Sequence, residues 1–356
     1  WHYVFFMSVP IAVIGIMLAA VFMPAAARKG PLPAFDWAGL ILVISFISCT
    51  LTGLSSGLRE GWGAPIIALL FSIAIISFVA FILWELQTQN PILQLRVFFN
   101  RKFAAAVVVG MVLSVGLFGS AYIIPLFVQA VQGYSPTRSG LLLMPSGILM
   151  MAMFPIAGRL SDRLPGYQMI VLGLAVFGAS CVLMMQAHTD TPFWVFVVWI
   201  TIGRIGLATM MPPLTVTAVS TLKPDLLSQG SGALNFSRQF GGAVGVNVLA
   251  LILGERTAFF YDAFTGLQTP DNSATLHLMS QFSHILGQLG WPLEMMPAGA
   301  LYLVGRSIHT QASMMAFSDA FLFMAALYFM TVIPALFLMD LPIKTKFRTK
   351  LRLRHG

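Results

Sequence analysis

The stretch Gly140–Arg163, GLLLMPSGILMMAMFPIAGRLSDR, decides the fold. It opens with about twenty uncharged residues, enough to cross a ~30 Å hydrocarbon core at ~1.5 Å per helical residue. It ends in Gly158-Arg159-Leu160-Ser161-Asp162-Arg163, a compact charged turn that suits an interface and not lipid. One helix therefore crosses a membrane and delivers a charged hairpin to one side. Taken alone, the pattern also fits a helix end whose basic side chains snorkel to the surface.

Composition decides between a soluble and a membrane chain. Of 356 residues, 58% are hydrophobic and only 9% charged, where a soluble domain carries roughly 25% charged residues. The apolar runs are continuous and do not alternate, which excludes a closed β-barrel and leaves an all-α polytopic membrane protein. The net charge of +8 does not indicate nucleic acid, because six of the twenty Lys and Arg lie in the last thirteen residues, after the final apolar run. Cys49 and Cys181 fall inside apolar runs and read as small packing residues.

Nine runs read as spanning helices: 3–23, 36–57, 65–85, 103–131, 138–160, 167–187, 192–221, 229–254 and 312–340. Short connections marked by Pro, Gly or charge join most of them. Fourteen Lys and Arg fall on one side: Arg28, Lys29, Arg96, Arg101, Lys102, Arg159, Arg163, Lys223 and the six of the tail. Arg59, Arg138, Arg256 and Arg306 fall on the other, and Arg204 and Arg238 lie within runs. The asymmetry places the tail in the cytoplasm and, with nine spans, Trp1 outside it. The chain starts at Trp, almost directly in a span, which reads as a fragment with helices missing upstream. Residues 255–311 form a long outer loop in which Leu278, Phe282, Ile285, Leu286 and Leu289 share one helical face.

The charged residues narrow the chemistry. Of twelve acids, only Asp319 falls a turn or two inside an expected span; it is the one candidate for a titrating intramembrane group, and an interfacial position is the competing reading. Arg204 and Arg238 reach deep into their spans, where a cation needs a partner, a task, or backbone carbonyls to satisfy it. Gly230, Gly232, Gly241, Gly242 and Gly245 in the eighth run suit close helix approach. Pro125, Pro145, Pro155 and Pro212-Pro213 suit bent helices. Met144, Met150, Met151, Met153, Met210 and Met211 suit either a pliable pocket or core packing. No spacing for a metal site, a phosphate loop or a catalytic triad is present, so neither a cofactor nor an enzyme activity is expected.

At this point the residues resemble a family. Gly158 to Arg163 resembles the hairpin motif of the major facilitator superfamily in its second-half copy. Gly203-Arg204-Ile205-Gly206, followed by Met211-Pro212, resembles the arginine motif of that superfamily's fourth helix, as its repeat. Asn235-Phe236-Ser237-Arg238-Gln239-Phe240-Gly241-Gly242 is similar to a segment of fourteen-span drug:proton antiporters of the EmrB/QacA type. Phe35 to Gly39, Asn90-Pro91-Ile92, Phe99 to Phe103 and Gly133-Tyr134-Ser135 match in the same order.

The resemblance implies a partial major facilitator fold of nine transmembrane helices. Residues 1–23 would be the last helix of the N-terminal half, 24–102 an inserted two-helix linker region and 103–340 the six-helix C-terminal half. Residues 255–311 would be its outer loop, and 341–356 a basic cytoplasmic tail. It implies a proton-coupled multidrug efflux transporter of the bacterial inner membrane, working by alternating access on lipophilic small molecules. A periplasmic adaptor protein would be a further partner. Tyr122, Met144, Met151, Phe154, Met210 and Thr215 would line the substrate path, and Gly158, Arg159, Asp162 and Arg163 would serve a gate. The alternatives are an exporter of one endogenous metabolite or siderophore, and a non-transporting membrane scaffold or sensor.

Overall fold

The computed structural model describes residues 3, 6, 8–22, 35–269 and 271–339. Its helices, in chain order, are α1 (Ser8–Phe22), α2 (Trp37–Glu60), α3 (Pro65–Gln87), α4 (Arg101–Ala130), α5 (Pro136–Ser161) and α6 (Gly166–Met184). They continue as α7 (Phe193–Ser220), α8 (Leu227–Gly266), α9 (Ser273–Gln288), α10 (Met296–Met330) and α11 (Val332–Leu336). No strand occurs among the described residues. Eight helices, α2 to α8 and α10, are long and apolar enough to cross a membrane. The expected first span is described as the shorter apolar helix α1, which belongs with residues up to Asp36 to a separate compact unit. The basic tail, residues 23–34 and Asp340 lie outside the described residues.

Local chemistry sets the helix starts. The Asn100 side chain accepts from the backbone N–H groups of Lys102 and Phe103, which caps α4. Its amide also donates to the Thr221 carbonyl at 2.9 Å, tying the start of α4 to the end of α7. Ser135 caps α5 in the same way, with Pro136 at the first helical position, where a missing N–H costs nothing. Gly61, at φ 85°, takes the left-handed conformation that reverses the chain between α2 and α3.

The bundle is organised around α4, whose Phe103, Leu113, Ile123 and Val128 are fully buried. It packs on α8 and α7, while α6 packs on α7 and α10. Glycines set two of these crossings. A methyl on Gly173 would lie 2.6 Å from the Gly206 carbonyl oxygen, so α6 and α7 meet backbone to backbone. Gly241 and Gly245 of α8 accept Met111 and Val115 of α4 at similarly close range. Tyr328 of α10 is fully buried and donates its hydroxyl to the Leu113 carbonyl of α4 at 3.2 Å.

The α2–α3 pair docks on α8: the Phe46 and Phe240 rings lie 5.3 Å apart, and Trp62 Nε1 donates to Glu255 at 3.2 Å. Helices α8 and α10, at 40 and 35 residues, far exceed the ~20 residues needed to cross hydrocarbon. Their excess forms about half of the expected outer loop: 255–266 continues α8 and 296–311 begins α10. The amphipathic helix α9 lies against α10, its Leu286 buried over Gly299. This is termed the cap end; the turn at residues 159–165 marks the hairpin end.

Candidate functional site

In a membrane helix, a charged or amide side chain that is neither buried nor paired needs water, a ligand or a protein partner. That criterion selects the first half of α8. Asn235 and Gln239, one helical turn apart, are exposed, and half-buried Arg238 lies between that face and α4. The Arg238 stem runs over Gly110, where a methyl would sit 3.0 Å from its Cγ. Its Nε is buried with no hydrogen-bond partner among the described residues. These residues stand eight to twelve positions into α8, some 12–18 Å from its start at ~1.5 Å per residue. Beyond them, Phe118 of α4 lies over Gly242, and Tyr122 follows one turn later; the two rings are 38% and 39% exposed.

Arg204 lies elsewhere, inside the bundle. It lines a small cavity with Ser120, Phe177, Ser180, Ile200, Phe321 and Met324, from α4, α6, α7 and α10. No carboxylate lines this cavity. The Ser180 hydroxyl donates to the Trp199 carbonyl at 2.8 Å, which leaves its oxygen free to accept. Arg204 and Arg238 are therefore two separate cations.

Of the six lining candidates, five are at least partly exposed and Met210 is not. Met144 and Met151 stand out from α5 at 59% and 70% exposure, while Phe154 is half-buried. Tyr122 is exposed on α4, and Thr215 is exposed on α7 with its hydroxyl donating to the Met211 carbonyl at 3.1 Å. Met210 is fully buried against Gly173 of α6. At the gate candidates, Arg159, Asp162 and Arg163 are exposed, and nothing stands within 4 Å of a methyl built on Gly158. The backbone N–H groups of Arg163 and Leu164 both donate to the Leu160 carbonyl, which closes the turn.

Asp319 has a partner on a neighbouring helix. Arg256 of α8 donates its Nε–H to the Asp319 carboxylate at 2.5 Å and stacks over the Phe259 and Phe260 rings. Sequence reading places Arg256 in a loop and so misses this pair. It names Asn235 and Gln239 only as part of a family-like segment, although amides one turn apart in an apolar run are a visible signal. Between the cap-end portions of α8, α9 and α10 lies a cavity of about 560 Å³, walled by Tyr261, Met279, Leu301, Val304 and Ile308.

Comparison with known proteins places this geometry. The family model described as Major Facilitator Superfamily matches residues 1–246. The uncharacterized MFS-type transporter YhcA of Bacillus subtilis is 28% identical over 98% of this chain and 66% of its own length. The multidrug resistance protein B homolog of Mycobacterium tuberculosis is 30% identical over 71% of this chain and 47% of its own. The colistin resistance protein EmrB of Acinetobacter baumannii is 25% identical over 95% and 66%. The chain thus spans about half to two thirds of the length of these relatives.

Proposed function

The chain belongs to the Major Facilitator Superfamily, and from that premise we propose that it serves a proton-coupled multidrug efflux transporter working by alternating access. The observation that carries this reading is the polar, partly exposed first half of α8 within a bundle otherwise packed with apolar residues. A transporter needs such a wall, because a solute crosses only where backbone and side chains line a cavity. A scaffold has no use for a half-buried cation beside exposed amides. The names of relatives as multidrug and colistin resistance proteins support small-molecule substrates.

In this reading α1 to α8 and α10 are nine spans of a partial major facilitator fold. Residues 1–23 close an N-terminal half, 24–102 carry an inserted pair and 103–340 form the C-terminal half. The protein sits in the bacterial inner membrane with the hairpin end and the tail at 341–356 in the cytoplasm. Gly158, Arg159, Asp162 and Arg163 act at a cytoplasmic gate, where exposed charges are free to meet an opposing helix end. The cap end carries an adaptor contact. The glycine-lined crossings of α4 with α8 and α6 with α7 let helices shift as packed pairs.

The test is dye efflux from vesicles containing the full-length protein, with an imposed proton gradient and with the gradient collapsed. Gradient-dependent efflux of several unrelated lipophiles is expected. Flux of one compound class alone would favour a dedicated metabolite or siderophore exporter, and no flux at all a scaffold.

A further inference from the structure

The charge inventory of the spans points to the kind of head group this wall accepts. Residues 101–220, which hold α4 to α7, contain two acids, Asp162 of the hairpin turn and Asp190 in the α6–α7 loop; no acid lies within those four helices. The first acid of α8 is Glu255, at the cap end, where it accepts from Trp62. Asp319 of α10 is matched by Arg256. Arg204 and Arg238 are thus the deep charges of α4 to α8, and both are cations.

An arginine stays protonated at every accessible pH, and a cation without a counter-ion in a low-dielectric bundle raises the local potential for anions. Of the two, Arg238 adjoins exposed side chains. Asn235 and Gln239 beside it each offer two N–H donors and one carbonyl oxygen. Phe118 and Tyr122 extend the strip with partly exposed rings, which suit a flat apolar body. We propose that the α4–α8 wall of Asn235, Arg238, Gln239, Phe118 and Tyr122 is a substrate subsite that selects lipophilic carboxylates or sulfonates over lipophilic cations. This rests on the transport reading, since a wall has selectivity only if solutes reach it. The Arg238 fork meets the anionic head, the amides hold its remaining oxygen, and the rings carry the body.

Three probes sharing one body isolate the head group: 1-pyrenebutyrate, 1-pyrenebutanol and a pyrenebutyl trimethylammonium salt. Binding to the purified full-length protein in neutral-lipid nanodiscs is measured separately from flux in vesicles. The carboxylate should bind about tenfold tighter than the ammonium probe, with the alcohol between. Arg238→Gln should remove most of that preference, carboxylate binding falling more than alcohol binding; Arg238→Lys should keep part of it. Should Arg238→Gln not accumulate, Gln239→Leu serves instead, and it should weaken carboxylate binding severalfold. Equal binding of the three heads, a preference for the cation, or an unchanged preference in Arg238→Gln would overturn the proposal. Intact carboxylate-selective binding without flux supports the subsite and sinks the transport reading alone.

Discussion

Arg256 and Asp319, 63 positions apart in sequence, are joined by a 2.5 Å Nε–H to carboxylate hydrogen bond that ties α8 to α10 near the cap end. Both side chains remain partly exposed, at 42% and 30%. The pair also sits against two aromatic faces, with the guanidinium 4.8 Å from the Phe260 centroid. Its stabilisation is therefore that of a partly screened ion pair, roughly 1 kcal/mol.

Asp319→Asn should lower the unfolding midpoint by about 2–4 °C, and Arg256→Gln by a similar amount. The double variant should cost less than the sum of the two, since either change alone removes the same contact. Thermal unfolding in detergent provides the cycle. Additive losses would mean that the two residues act independently despite their contact.

A second prediction concerns the buried hydroxyl of Tyr328. A methyl placed on Gly116 would collide with it, and the ring lies 4.2 Å from Phe177 with no room to retreat. Gly116→Ala should destabilise the bundle by roughly 1–3 kcal/mol through overpacking. Tyr328→Phe should cost about 1 kcal/mol by leaving the Leu113 carbonyl without its side-chain donor. Combined, they should cost less than the sum of the two, because the closest clash, with the hydroxyl oxygen, is gone, although ring carbons at 2.5 and 2.9 Å still crowd the methyl. A double variant no better than the sum of its parts would place the clash elsewhere.

These contacts divide what hydropathy can show from what it cannot. The run expected over 65–85 is the helix Pro65–Gln87, and that over 138–160 is Pro136–Ser161, because continuous apolar runs and caps such as Ser135 lie in the local sequence. The run expected over 229–254 reaches Gly266 instead. Past Gly254 the chain turns charged and amphipathic, so hydropathy falls while helical backbone bonding continues. The same loss hid Arg256 from Asp319, since one was read as loop and the other as span. The depth of Arg204 and Arg238 was legible from counting along the runs. Their surroundings were not: one lines a small cavity between four helices and the other adjoins exposed amides, which depends on helix rotation and not on position in the run.

Arg204 gives a third prediction. Its cavity offers the Ser120 and Ser180 hydroxyls and no carboxylate. In the full-length protein, Arg204→Ala should cut transport about tenfold or more while insertion and accumulation stay normal. Arg204→Lys should restore part of the flux, since it keeps the charge but not the planar fork. Normal flux from the alanine variant would make Arg204 a tolerated packing residue of the α6–α7 contact.

The last prediction fixes sidedness. The sequence reading expects fourteen Lys and Arg on the side of the 159–163 turn against four on the other, and such a bias would place the rich side in the cytoplasm. Two exposed positions report the two ends: Leu164 in the turn between α5 and α6, and His284 on α9. Neither makes a side-chain hydrogen bond among the described residues, so cysteine at either should leave the fold intact. Both native cysteines must first be replaced. Cys181 is buried in the core and Cys49 half-buried, and both are small, so Cys49→Ala and Cys181→Ala should cost little volume. In right-side-out vesicles, a membrane-impermeant maleimide should label His284→Cys and spare Leu164→Cys; in inverted vesicles the order should reverse. Labelling of position 284 only in inverted vesicles would turn the molecule over. The α5–α6 turn could then not act as a cytoplasmic gate, and α9 could not meet an adaptor outside.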